Sequence, residues 1–157
     1  MQKLRHLCTY NIFCCYEDMK KVIDDVVNCV QTALQALEDD VFDIKVILSE
    51  LLCNAIKHAN NCDNKKKLTV IFAFERNPAP VVTFAIKDYG SGFDYKKILN
   101  KDPLYYFECC SDTFADESML CETGRGIWIV KNLSDSIKYN KKGNTVVIRK
   151  TISAEKI

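Results

Sequence analysis

A glutamate, an asparagine and a lysine stand four and three residues apart in Ser49-Glu50-Leu51-Leu52-Cys53-Asn54-Ala55-Ile56-Lys57-His58-Ala59-Asn60. On a helix they share one stripe with Asp43 and Asn61, while Ile44, Leu48, Leu51, Ala55 and Ala59 form the opposite, apolar stripe. A carboxylate can act as a base, an amide oxygen one turn later can ligate a hard cation, and a lysine or histidine can meet a phosphate. Such a stripe is more often a plain solvated face, so its meaning depends on what the rest of the chain brings to it. Glycine supplies the second group. Four of the five glycines are Gly90, Gly92, Gly124 and Gly126, two Gly-x-Gly pairs, the first directly behind Asp88. Glycine lets backbone amides approach a ligand with no Cβ in the way. Gly124-Arg125-Gly126 at the head of a helix offers unpaired N–H groups and a positive dipole end, which suits an anion. The usual nucleotide signatures are missing: there is no G-x-x-x-x-G-K-[ST], and neither pair has a third glycine or a βαβ setting.

The elements that must position these residues follow from periodicity. Residues 4–15 have strand composition; 17–37 carry Met19, Val22, Ile23, Val26, Val27, Val30, Ala33, Leu34 and Leu37 at helical spacing. Glu38-Asp39-Asp40 breaks that helix and leads into a second one over roughly 40–60, stopped by Asn60-Asn61-Cys62-Asp63-Asn64. Residues 68–75 and 81–88 alternate as a hairpin around Arg76-Asn77-Pro78-Ala79-Pro80. Leu68, Val70, Phe72 and Phe74 share one face, as do Val82, Phe84 and Ile86, and Asp88 has the parity of the second trio. Period two therefore aims its carboxylate at the helical layer, where an unpartnered charge costs several kcal/mol. A stretch of weak pattern over 96–122 lies between the glycine pairs, and a connection that long is usually functional or mobile. A helix starting at the second pair and a hairpin of 136–140 with 144–151 around Lys141-Lys142-Gly143-Asn144 close the chain. The order β, α, α, β, β, lid, α, β, β predicts an α+β two-layer sandwich over 1–157, a single domain with helices on one face of a mixed, mostly antiparallel sheet.

Composition narrows the partners. The 157 residues are 48% hydrophobic and 27% charged, with 22 basic against 21 acidic side chains. A net charge of +1 argues against general affinity for nucleic acid or anionic membrane. No apolar run approaches the roughly 18 residues of a membrane span, and no signal-peptide core follows the N-terminus. The nine cysteines show no zinc-type spacing; Cys14-Cys15 and Cys109-Cys110 are adjacent doublets, and Cys8, Cys29 and Cys53 fall in apolar patterns as small core residues. A reducing cytoplasm is the expected location.

Glu50-x-x-x-Asn54, Asp88-x-Gly90-x-Gly92 and Gly124-x-Gly126 at a helix head resemble the three nucleotide-binding boxes of the GHKL ATPase superfamily, which takes in gyrase, a heat-shock chaperone, histidine kinases and mismatch-repair ATPases. The wording of 49–59 and of Thr123-Gly124-Arg125-Gly126-Ile127-Trp128-Ile129-Val130-Lys131-Asn132-Leu133 is similar to the stand-alone bacterial anti-sigma factor serine kinases, over nearly the whole chain. The resemblance implies a Bergerat-type fold with a mobile ATP lid, ATP and Mg²⁺ as cofactors, and a sigma factor and an antagonist protein as partners, in a chain that can dimerise. It implies Glu50 as general base, Asn54 as the Mg²⁺ ligand and Asp88 as acceptor from the adenine amino group. Gly90 and Gly92 would pass close to the nucleotide, Gly124, Arg125, Gly126 and Ile127 would line the phosphates, and Thr145 would sit near the base. Lys57 and His58 would reach phosphate or partner; Phe93, with Tyr89, would pack around the base pocket or the lid hinge. Trp128 and Cys53 read as core, and Lys141-Lys142 as a solvated hairpin tip. Two other readings use the same residues: a nucleotide-gated module that sequesters a regulator without catalysis, and a detached histidine-kinase catalytic domain. The second is poor, because no phosphoacceptor helix pair precedes the boxes.

Overall fold

The computed structural model describes residues 5–59, 63–76, 78–92, 94–100 and 125–153. Strand β1 (Arg5–Phe13) is followed by helices α1 (Tyr16–Leu34) and α2 (Glu38–Asn54), a π-helical turn (Ala55–Ala59), and the hairpin β2 (Lys67–Glu75) and β3 (Val81–Asp88). A short helix α3 (Tyr95–Leu99), helix α4 (Arg125–Leu133) and the hairpin β4 (Ser136–Tyr139) and β5 (Thr145–Thr151) complete the described elements. The sheet order is β1-β2-β3-β5-β4. Every described pairing is antiparallel, which corrects the expected mixed sheet. For β1 with β2 the reason lies in the α1–α2 excursion. It returns the chain to the end of β1 that it left, where the Cys14 N–H donates to the Lys66 carbonyl at 2.9 Å.

Alternation places the core as the sequence predicts. Leu68, Val70, Phe72 and Phe74 are buried, as are Val82, Phe84 and Ile86, and Phe72 stacks on Phe84 with ring centroids 5.4 Å apart. The helices cover this face. From α1 come Val22, Ile23, Val26, Val27, Val30 and Leu34. Helix α2 buries more than its predicted stripe: Ile47 and Leu52 join Ile44, Leu48 and Leu51 in the interior, because α1 and α4 flank it.

Helix boundaries differ from the periodic reading at one junction. Helix α1 ends where Gln35 takes a left-handed conformation (φ 51), and Leu37 is exposed. Glu38-Asp39-Asp40 does not break a helix but forms the first turn of α2, three carboxylates at the positive end of its dipole. This start is tied to the chain's far end: Leu37 N–H donates to the Ser153 carbonyl, and Ser153 N–H donates to Asp40 Oδ2 at 2.6 Å. The weak-pattern stretch also opens with α3, while its residues 101–122 lie outside the described ones. Cys8, Cys29 and Cys53 are half-buried, whereas Cys14 occupies the core position. Trp128 is likewise only partly buried. Among the described residues no helix is long and apolar enough to cross a membrane.

Candidate functional site

Helix α2 presents Glu50 and Asn54 one turn apart, and the α-helix gives way to the π turn directly after Asn54. Single π turns inside helices recur at functional sites, because the extra residue re-aims the side chains on either side. Opposite them stands the head of α4. A Cβ built on Gly126 would overlap Glu50 Oε2, stand 3.3 Å from Glu50 Cδ and lie 3.6 Å from Asn54 Nδ2. Only glycine lets the first turn of α4 sit this close to the carboxylate and the amide. One point of the molecule thus gathers a possible base, a side-chain amide and a helix N-terminus. Arg125 is half-buried beside it, and Lys57 is half-buried in the π turn. The Ile127 side chain is buried in the layer beneath, so only its backbone can face a ligand there.

The second part of the site grows from the end of β3. Asp88 is only 8% exposed and has the parity of the core residues before it, so its carboxylate faces the helical side. Its Oδ1 accepts the Gly90 N–H at 2.8 Å. Burial pushes this carboxyl above the ordinary range, while that N–H and the Lys142 ammonium pull it down. Asn144 holds the backbone beside it: Asn144 Nδ2 donates to the Asp88 carbonyl at 3.1 Å, and the Asp88 N–H donates to the Asn144 carbonyl at 3.0 Å. Asn140 in turn organises the β4–β5 turn, its Oδ1 accepting N–H bonds from Gly143, Asn144 and Thr145 at 2.9–3.1 Å. Gly92 has φ +81, and the Lys142 backbone carbonyl occupies the place of its missing Cβ. The tip of that turn, exposed at Lys141 and Lys142 as predicted, therefore packs its backbone on the glycine segment. Tyr139 stacks on Tyr95 with centroids 4.9 Å apart, and burial, then the Asp88 charge, raises its phenol above the ordinary tyrosine value.

Several predicted site residues stand elsewhere. Thr145 pairs with Lys87 and has the outward parity, and the residue beside Asp88 is Asn144. Tyr89 does not line the pocket; it is exposed on the outer face, its hydroxyl 3.0 Å from Thr69 Oγ1 and Lys87 Nζ 5.2 Å from its ring centre. Phe93 and Gly124 lie outside the described residues, as does the His58 side chain. Asp43, on the same stripe as Glu50, is taken up by Lys150 at 2.8 Å. Sequence reasoning missed Asn140, Asn144 and Tyr139. The inward parity of Tyr139 and the turn chemistry of Asn140-x-x-Gly143-Asn144 are the signals that carry them.

The donor set also bears on a metal. Among the described residues no group of three or more His, Cys, Asp and Glu side chains is placed to hold one. One amide oxygen beside a helix N-terminus fits Mg²⁺ that keeps several waters and is bound mainly through substrate phosphates.

A sheet covered on one face by helices, with these carboxylate, amide and glycine positions, defines an ATPase-type domain. Residues 16–150 match the model of the histidine kinase-like ATPase domain, and the chain belongs to that family. It is 28% identical over 120 residues to the serine-protein kinase RsbW of Bacillus velezensis, covering 76% of this chain and 69% of that one. To RsbW of Staphylococcus aureus strain Newman it is 29% identical over 124 residues, 78% and 72% of the two chains. The fold is also that of a chain in the crystal structure of the SiaB–SiaC complex from Pseudomonas aeruginosa, with TM-score 0.58, 16% identity and coverage of 92% and 88%.

Proposed function

We propose that the cleft between α2 and the glycine segments binds Mg-ATP, and that the chain is a regulatory serine-protein kinase. In this reading it passes the γ-phosphate to a serine of an antagonist protein and also binds a sigma factor. The observation that supports it most is the contact of Gly126 with Glu50 and Asn54, which converges a base, a cation ligand and an anion-binding helix end. Family membership supports ATP, and the similar RsbW proteins support serine as acceptor. The SiaB–SiaC complex of the structural neighbour is in keeping with a protein partner.

The chemistry asks little covalent help of the protein. Glu50 takes the proton from the serine hydroxyl as its oxygen bonds to the γ-phosphorus and the bond to the β-phosphate oxygen breaks, releasing ADP. Asn54 would hold Mg²⁺, which supplies charge neutralisation on the phosphates. The first-turn amides of α4, with Gly124 and Arg125, would receive phosphate oxygens, and Lys57 and His58 would reach phosphate or partner. Asp88 accepts from an exocyclic amino group, its position fixed by Asn144 and Gly90. Gly92 keeps the backbone close to the base.

Titration calorimetry with ATP, ADP and GTP, with and without Mg²⁺, tests the nucleotide reading. ATP and ADP are expected to bind, ATP more tightly with Mg²⁺, and GTP weakly, because guanine presents an acceptor where adenine has its amino group. Asp88→Asn is expected to cost roughly 1.5–3 kcal/mol of ATP binding, the worth of a charge-assisted hydrogen bond. Equal affinity for GTP sinks the assignment of Asp88.

A further inference from the structure

A lysine is the least expected buried residue, and Lys150 on β5 is only 8% exposed. Its ammonium donates to Asp43 Oδ2 at 2.8 Å and to the Leu133 carbonyl at 3.1 Å, and lies 3.3 Å from Asp40 Oδ1. Burial works against this charge, but the carboxylates of Asp43 and Asp40 outweigh it and hold the ammonium above the ordinary lysine value. Two of its partners belong to the start of α2, and the third is the last carbonyl of α4. The group therefore joins the two helices that carry the candidate site.

The spacing gives the join its meaning. Helices α2 and α4 touch at Glu50 with Gly126 and are bridged again at Asp43 with Leu133. On each helix the two points are seven residues apart, two turns or about 10.5 Å, and the reversed order makes the helices antiparallel. One point is steric, a contact that only glycine permits; the other is electrostatic, a cation at the negative end of α4. Together with the buried Ile127 and Val130 between them, two points at equal spacing fix how far α4 sits along α2.

We propose that Lys150 is a positioning residue for the nucleotide site, setting where the first turn of α4 stands relative to Glu50 and Asn54. This rests on the nucleotide reading above, and its mark is selective. Loosening the clamp weakens the grip on phosphates and leaves the Asp88 end alone, because Asp88 and Asn144 are held by strand pairing and their own turn.

The test compares Lys150→Met, which keeps the aliphatic stem, with Asp43→Asn and a core-trimming control on the same strand, Ile148→Val. ATP affinity is expected to fall about tenfold in Lys150→Met while adenosine affinity stays within about twofold, a loss within the range of a helix-terminus interaction. Asp43→Asn shifts the ratio in the same direction by less and serves if Lys150→Met does not fold. Ile148→Val lowers the melting temperature without changing the ratio. A wild-type ratio in both clamp variants overturns the proposal and leaves the cluster a stabilising one. Amide exchange of 126–133, read without nucleotide, is expected to speed up in the clamp variants beyond the control; no difference overturns the clamp. A wild type that binds no ATP removes the nucleotide reading instead, and the exchange data still judge the join between α2 and α4.

Discussion

Replacing Glu50 with alanine is expected to leave ATP affinity within about threefold and to lower phosphoryl transfer roughly 10²–10⁴-fold, the contribution of a positioned base. The carboxylate lies against the head of α4 rather than beside Asp88, so in the proposed reading it would meet the attacking hydroxyl and not the base. Asn54→Ala separates the two roles. It removes a ligand that the ground state also uses, so binding and transfer both fall. Transfer of radiolabelled phosphate to a co-purified partner, measured beside nucleotide affinity for the wild type and both variants, decides the matter. A wild type that binds its partner and transfers nothing leaves a nucleotide-gated sequestering module in place of a kinase.

The two glycines with occupied Cβ positions should fail in opposite ways. A methyl at Gly126 meets the end of a side chain, which can swing aside. Alanine also favours helix over glycine by roughly 0.5–1 kcal/mol, so Gly126→Ala keeps its fold. Displacing Glu50 costs activity on the scale of Glu50→Ala. A methyl at Gly92 meets the Lys142 backbone carbonyl, on a residue at φ +81, and neither can give cheaply. Left-handed backbone alone costs about 1–2 kcal/mol for a residue with a Cβ, and the overlap adds a further 1–3 kcal/mol or so. Gly92→Ala is therefore expected to lower the melting temperature by roughly 5–15 °C. Thermal melts with transfer assays check both. A double variant sharpens the first: with Glu50 already trimmed to alanine, Gly126→Ala should do no further harm, the non-additivity expected of two residues in contact. Simple addition of the two losses would place the residues apart.

Period two and period 3.6 made most of this molecule legible. The parity of Asp88 with Val82, Phe84 and Ile86 aims its carboxylate correctly, and the Glu50–Asn54 stripe faces the glycine-headed helix. What stayed hidden is what period cannot encode. Asp43 belongs to the same stripe as Glu50, yet its partner is Lys150, 107 residues along the chain, so one stripe holds both a site and a structural clamp. Thr145 sits one position from the residue that supports Asp88, and a one-residue step on a strand exchanges faces. The acidic run Glu38-Asp39-Asp40 is equally at home ending one helix or opening the next, and the Gln35 backbone decides it. The antiparallel pairing of β1 with β2 depends on a long excursion coming home to its own end, a global property with no local mark.

The site divides between two kinds of architecture. Asp88 terminates the middle one of five strands, paired on both sides, where backbone opening requires the loss of much of the sheet. Glu50, Asn54 and Gly126 depend instead on the seating of one nine-residue helix against another. If the cleft binds ATP as proposed, recognition of the base is thereby decoupled from handling of the phosphates. Drift in α4 would then retune turnover or partner response while the sheet went on selecting the same base. A lineage built on that plan would change its signalling rate without surrendering its fuel.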